Sequence, residues 1–440
     1  MTIAALSPSP AERPLRWKMA FLVSTAIAIS YLDRQTLPVA IKAIEQDIPL
    51  SAQGFAFLQS AFLVAYAVMY AGGGWLLDVL GTRLGFILIM IFWSLACASH
   101  SLALSFTMLL ASRLLLGMGE GGGFPAATRA VSEWFPAKES STAMGIINAG
   151  TAVGAVAAPP LIALVLLHAN WRWVFILTGA LGLLWTFWWR ANYYPPGEHP
   201  GLKNPGGQAL VAEREPLEIP ATRPDWSSLL RFPEVWGMVA AKFLSDAAWY
   251  FYLFWLPKYL YDARGFDIKA VGSFAWIPYA ASGVGCLCGG WFSSWLLQRQ
   301  FPLNLSRKLA LGASAIVMPC ILLVQHVPVG LALALFSVAY FGQQSWSTLV
   351  MILPTDLFPL SAVGSVAGLV GFGGAMGGVV FGQVAGWLLD HGFGYGPVFM
   401  LAGSFHVIAF LVILVAIPTI KRLSLENNQA GPLSPRLGAA

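Results

Sequence analysis

Residues 29–40 read ISYLDRQTLPVA, and they set a phenol, a carboxylate and a guanidinium within four positions of one another. The run around them is otherwise apolar from Met19 to Ile41. Charges in such surroundings are costly, and they are turned toward partners, cavities or ligand paths. On a helix Tyr31 and Arg34 share a face, with Asp33 about 100° round from Arg34. The hydroxyl and the guanidinium can therefore address one ligand, and the carboxylate a neighbouring helix. A guanidinium offers a fixed fork matched to a carboxylate and stays charged at any working pH, so Arg34 is the expected seat for an acid group. The competing reading is an Asp33–Arg34 pair, or Asp33 with another base, that only fixes helix packing.

A second constellation is Arg113 and Glu120 in SRLLLGMGEGGG. Seven residues are two helical turns, so the two groups lie on nearly one face about 10 Å apart along the axis. That is too far for an intimate ion pair and suits groups that each meet something else. Glu120 can then take up and release a proton as its surroundings change. Against this stands a purely local role around GEGGGFP, where glycines permit close helix approach and Pro125 bends the chain. Asn148 and Thr151 are one turn apart. Lys242 and Asp246 have the i,i+4 spacing of an ordinary helix-surface pair, while Trp249 and Tyr250 on the following turn suit packing against a polyhydroxylated ring. Gln343, Gln344, Trp346 and Ser347 supply donors and acceptors beside an aromatic platform, which also suits such a ligand. No histidine or cysteine spacing suggests a metal, and the four cysteines, all in apolar runs, suggest no disulfide or zinc framework. No nucleophile constellation points to an enzyme.

The elements that must position these groups follow from composition. Of 440 residues, 57% are apolar and only 10% charged, with mean hydropathy +0.69. A soluble domain carries about 25% charged residues, so the solvent of this chain is largely lipid. The net charge of +5 bears on orientation and not on nucleic acid. Apolar runs of helix length, without two-residue alternation, exclude a barrel and predict an all-α integral membrane protein with twelve spans. Six are expected at 19–40, 54–78, 84–103, 106–129, 142–167 and 171–191. Six more are expected at 234–261, 270–297, 307–325, 328–354, 364–389 and 395–418. Residues 1–18 read as a polar N-terminal tail without a cleavable signal, 19–191 and 233–418 as two six-helix bundles, and 419–440 as a C-terminal tail. Between the bundles, residues 192–232 are rich in Pro, Gly and charge and read as a linker. Lys and Arg concentrate in the tails, the linker, the loops after spans two and four and the loop after span eight, which places both termini in the cytoplasm of a multi-pass inner-membrane protein.

The halves repeat one another. EWFPAKESSTAMG (133–145) aligns without a gap to DLFPLSAVGSVAG (356–368), and GGWLLDVL (73–80) to GGWFSSWL (289–296), each at close to half the chain. Pseudo-symmetric bundles place a binding site at their interface near the midplane.

These residues carry a family resemblance. GGWLLDVLGTR, with Gly74, Asp78, Gly81 and Arg83, resembles the loop signature of the major facilitator superfamily. YLDRQ, RLLLGMGEGGGFPA and EWFPAKE resemble its anion:cation symporter family, and KFLSDAAWYFYLFWLPKYL and QQSWSTLVMILPTDLFP its hexuronate transporter branch. The resemblance covers all but the tails and most of the linker. It implies that Asp33 and Glu120 are protonatable acids coupling proton entry to anion entry, with Arg113 as switching partner, and that Asp78 and Arg83 form a cytoplasmic gate. It also implies a substrate contact for Tyr66, and for Thr151 a shorter contact than the amide some relatives carry there. The eleventh span departs from the pattern: GLVGFGGAMGG has glycines and Ala375 where some relatives carry an asparagine. The expectation is a proton-coupled symporter of a hydroxylated organic anion, a hexuronate first, with an aldonate, a glucarate or an aromatic acid as alternatives. Sodium coupling is left open, a non-transporting sensor of the same fold is the distant alternative, and no cofactor, nucleic acid or obligate protein partner is expected.

Overall fold

The structure, a computed structural model, describes residues 12–135, 137–200 and 226–423, apart from a few side chains within them, that of Asp78 included. The N-terminal tail up to residue 11, linker residues 201–225 and the C-terminal tail from 424 lie outside the described residues. Among the described residues there is no strand.

The first half is built from α1 (Glu12–Asp47), α2 (Ala52–Ser99), α3 (Phe106–Glu120), α4 (Gly123–Trp134), α5 (Ala137–His168) and α6 (Trp171–Asn192). The second is built from α7 (Pro233–Arg264), α8 (Ile268–Phe274), α9 (Trp276–Gln298), α10 (Leu303–Ile316), α11 (Val329–Leu357), α12 (Leu360–Asp390) and α13 (Tyr395–Ala416), with a 3₁₀ segment Met318–His326 after α10. Helix α2 makes two crossings. Gly81, at φ 73° and ψ 161°, breaks it in a backbone region that only glycine visits freely. The fourth crossing is α3 followed by α4, and the eighth is α8 followed by α9, so each half crosses six times. Side-chain oxygens cap the entries: Ser51 accepts from the amide of Gly54, Ser105 from Met108, Asn170 from Arg172 and Asp267 from Ala270.

Nine stretches among the described residues are long and apolar enough to span a bilayer. The other crossings, α3 with α4, α7 and α11, carry Arg113 and Glu120, Lys242 and Asp246, and Gln343 and Gln344. The fourth crossing is divided at Gly121–Gly122 into helices of 15 and 12 residues, and in α7 and α11 the groups the sequence had marked for chemistry lower the apolarity.

The halves meet firmly at one end. At the end of α1 and of α7, Lys42 lies 3.0 Å from Glu45 and 2.5 Å from Asp262, and Lys258 lies 2.7 Å from Glu45 and 3.0 Å from Asp262. Tyr261 donates to the Val39 carbonyl at 2.9 Å. Gln35 donates to the Leu253 carbonyl at 3.0 Å and accepts from the Tyr279 hydroxyl at 3.1 Å. Asp390, ending α12, accepts from the backbone amides of Ala52 and Gln53 at 2.8 and 2.9 Å, so it caps the first turn of a helix belonging to the other half. One apolar cluster runs through this end from α1 and α2 into α7 and α11. A second, with Leu229, Met238, Leu353 and Ile413, is confined to the C-terminal half at the opposite end. There the halves stand apart around a cleft of about 710 Å³, lined by Tyr70, Pro125, Arg129 and Glu133 on one side and by Met351, Gly364 and Gly368 on the other.

Candidate functional site

Arg34 does not itself line that cleft and is joined to it by a ladder of tyrosines. Tyr70 lines the cleft; the Tyr66 ring is 6.0 Å from it; the Arg34 guanidinium lies 4.6 Å from the ring centres of Tyr66 and Tyr31 and 5.4 Å from Phe62. Three aromatic rings thus surround a cation that is 2% exposed, an arrangement that favours a desolvated guanidinium. Arg34 Nε donates to Glu120 Oε2 at 2.8 Å, and Ser30 donates to the same oxygen at 2.6 Å. Arg34 Nη2 and Glu120 Oε1 are buried without a hydrogen-bond partner among the described residues. The pair therefore keeps one donor and one acceptor for a third party.

Helix packing sets this geometry. The glycines of GEGGG let α3 approach α2 until a Cβ on Gly121 would stand 2.6 Å from the Tyr66 carbonyl oxygen. At so close an approach Glu120, the last residue of α3, reaches Ser30 and Arg34 of α1.

The other acid of α1 takes a different partner. Asp33 is wholly buried, and its Oδ2 accepts from Trp93 Nε1 at 2.8 Å, so no Asp33–Arg34 pair forms. Its Oδ1 has no hydrogen-bond partner among the described residues, and neither do the three guanidinium nitrogens of Arg113. Arg113 is within electrostatic reach of both Asp33 and Glu120 and lies 5.9 Å from the Phe62 ring. As the seven-residue spacing implied, Arg113 and Glu120 are not bonded to each other. The guanidinium that Glu120 meets comes from α1, which spacing along α3 had no means to show.

Across the interface, Lys242 lies 3.0 Å from Asp246 and donates to Ser347 at 2.7 Å, and Gln343 donates to Asp246 at 3.5 Å. The i,i+4 pair is therefore present and is tied to α11. Gln343 also bonds His406. Tyr250 stacks on Phe254 at 5.8 Å, and Phe254 meets Phe62 of the first half edge-on at 6.3 Å. Trp249 is 8% exposed and packs edge-on to Tyr340. Trp346 is wholly buried against His406 and Phe410 in the second apolar cluster, so the platform expected beside Gln343 faces the bundle core. Gln344 is partly buried, and its carbonyl accepts from Thr348. Asn148 is exposed, and its carbonyl accepts from the Thr151 hydroxyl at 2.7 Å. The glycines of the eleventh crossing have a local reason: Cβ atoms on Gly374, Gly377 and Gly378 would collide with Asp246, Phe243 and Tyr250, so α12 closes directly over α7.

A family model of the Major Facilitator Superfamily matches residues 23–382. The chain belongs to the major facilitator superfamily. It is 31% identical over 427 residues to the hexuronate transporter of Escherichia coli strain K12, covering 95% of this chain and 98% of that one. It is 34% identical over 308 residues to the galacturonate transporter of Dickeya chrysanthemi, covering 69% and 89%. In fold it matches the crystal structure of a bacterial homologue of the human lysosomal transporter Spinster, with a TM-score of 0.73 at 17% identity over 92% of this chain and 97% of that one. As a facilitator-superfamily member the chain is a multi-pass membrane transporter and not an enzyme, and the Arg34 pocket is read accordingly.

In this facilitator fold the loop signature sits at the open end. The side chain of Asp78 lies outside the described residues, while Arg83 donates to the Arg190 carbonyl at 2.8 Å and lies 3.7 Å from the Tyr194 ring centre. Nearby, Glu133 gathers Thr82, Tyr193 and Arg129. Its repeat counterpart Asp356 holds Arg307 at 2.7 and 3.3 Å, and Arg307 also donates to Ser293 at 2.8 Å. Neither acid was singled out from the sequence, although the gapless match of EWFP to DLFP placed both at one repeat position and was signal enough.

Proposed function

We propose that the chain is a proton-coupled symporter of hydroxylated organic anions, of the hexuronate class. The supporting observation is the buried Arg34–Glu120 pair, in which Arg34 Nη2 and Glu120 Oε1 have no hydrogen-bond partner among the described residues. Charge bookkeeping ties two events together. An anion docking on Arg34 alone would leave two carboxylates around one buried guanidinium. A proton on Glu120 alone would leave that guanidinium without a counter-ion. Each state carries a net buried charge, which is expensive in a membrane interior. Together, proton on Glu120 and carboxylate on Arg34, they keep the pocket neutral, so anion and proton bind as one. Asp33, with a free carboxylate oxygen, is a second protonatable acid, and Arg113, within electrostatic reach of both acids, is their switching partner.

Tyr31, Tyr66 and Tyr250 supply ring faces and hydroxyls for the body of the anion, with Thr151, Gln343 and Ser347 at the margins. The excess of Lys and Arg at the termini and even-numbered loops orients both termini to the cytoplasm, so the cleft faces inward and the Lys42–Glu45–Lys258–Asp262 lattice closes the outer face. Rocking of the halves would break that lattice and expose Arg34 outward, with Asp78 and Arg83 belonging to the inner gate. The names of the relatives, hexuronate and galacturonate transporters, favour a uronic acid; a 27% identical D-galactonate transporter of Escherichia coli keeps aldonates as the second reading. Uptake of a labelled sugar-acid panel into proteoliposomes, under imposed proton or sodium gradients, tests the proposal. Uronate accumulation driven by an inward proton gradient is expected; a preferred neutral hexose, or drive by sodium alone, overturns it.

A further inference from the structure

Helix α7 carries Lys242, Asp246, Tyr250 and Phe254 at steps of four, a continuous ridge that winds about 120° round the helix. Its inner part joins the Arg34 pocket through ring contacts: Phe254 meets Phe62, Phe62 stacks on Tyr66 at 5.9 Å, and Arg34 lies over both, the Phe62–Tyr66 stack being the link between them. Tyr31 and Tyr250 each lie within electrostatic reach of both Arg34 and Asp246. The two ion pairs, one from each half, therefore flank one cluster of tyrosines, Tyr31, Tyr66 and Tyr250.

Lys242 is 6% exposed, and its ammonium has three donors. Asp246 and Ser347 take two of them. From the level of Tyr250 to that of Lys242 is two turns, about 12 Å along the axis, and the long ammonium stem reaches back over part of it. Helix α12 closes over this stretch: a Cβ on Gly374 would stand 3.1 Å from Lys242 Cγ, so the lysine stem has little room away from the site. A cation already neutralised by Asp246 attracts no free anion strongly, but it donates well to hydroxyl oxygens.

We infer that Lys242 is a substrate-binding, specificity-determining residue that reads the hydroxyl-bearing end of the acid whose carboxylate sits on Arg34. The inference rests on the proposed function and sharpens it: the site takes a polyhydroxylated monocarboxylate long enough to touch both halves, and discriminates against short hydroxy acids.

The test is the ratio of kcat/KM for glucuronate to that for glycolate, measured with the full chain in proteoliposomes. Glycolate reaches only Arg34. Lys242→Gln, and Lys242→Gln combined with Asp246→Asn to keep the region neutral, are expected to lower the ratio at least tenfold, while Lys242→Arg keeps it within about threefold. A merely structural loss lowers both rates together and leaves the ratio unchanged, which overturns the assignment. Failure of the underlying reading looks different: the unmodified chain would then transport neither acid, and the Lys242 assignment would fall with it.

Discussion

Arg34 and Glu120 come from different helices and meet through one hydrogen bond of 2.8 Å, with both side chains almost wholly removed from solvent. The bond uses Nε and leaves Nη2 unpartnered, so the guanidinium is restrained without being saturated. Substituting Arg34 removes both the proposed anion seat and the counter-ion of Glu120. Arg34→Ala is expected to abolish uptake and binding, and Arg34→Lys, which keeps the charge and loses the fork, to weaken binding at least tenfold in equilibrium dialysis with labelled uronate.

Glu120→Gln mimics the protonated acid. It should leave Arg34 open to the anion at all pH values, so exchange of labelled for unlabelled substrate across the liposome survives. Accumulation driven by a proton gradient should be lost. Retained accumulation removes Glu120 from coupling and shifts that role to Asp33.

Tyr66 tests the aromatic surroundings of the cation. Its ring centre is 4.6 Å from the guanidinium carbon, and a desolvated cation–π contact is worth about 0.5–2 kcal/mol. Tyr66→Ala should therefore raise KM by roughly 2- to 30-fold on that range. Tyr66→Phe keeps the face and should stay much closer to the unmodified protein, any remaining loss reporting the hydroxyl.

The four-charge lattice between α1 and α7 holds the halves together at one end only. Lys258→Gln removes one of its two links between the halves, the bond to Glu45, together with the i,i+4 pair to Asp262 within α7, and leaves Lys42–Asp262 as the remaining link. Each pair is partly exposed and worth no more than about 1 kcal/mol. Pulsed electron resonance between spin labels at Gln46 and Ala263, with the native cysteines replaced, should then show a longer-distance population enlarged by a few-fold, and high salt should mimic part of the effect in the unmodified lattice.

Gly377 probes the contact that seats α12 on α7. Adding a methyl group there meets the Phe243 carbonyl oxygen, so the helices must part. Gly377→Ala is expected to cost about 1–3 kcal/mol, lowering the melting temperature in detergent and weakening uronate binding by displacing Asp246 and Tyr250. Gly382→Ala, where a Cβ meets nothing within 4 Å, should leave both nearly unchanged.

Much of the architecture could be read along the chain, because apolar runs, a polar break after Asn192 and basic loops are local or additive signals. Arg34 and Glu120 stood out for the same reason: a charge in an apolar run needs no partner to be noticed. Their pairing did not, since it depends on how far α3 rolls toward α1, which the GEGGG approach to α2 decides in three dimensions. Trp346 was legible as an aromatic beside glutamines, but the rotation of α11 turned its ring to the core. Lys242 and Asp246 had the spacing of an unremarkable surface pair, and only the neighbouring helices α11 and α12 make that pair an enclosed one.

The Asp390 carboxylate supplies the last link. It terminates a helix in one bundle while satisfying the opening amides of a helix in the other. When the bundles part, water takes over at those amides, and the carboxylate is rehydrated in the same movement. On the proposed transport cycle this link exchanges one set of hydrogen-bond partners for another, so it can break and re-form as the bundles rock.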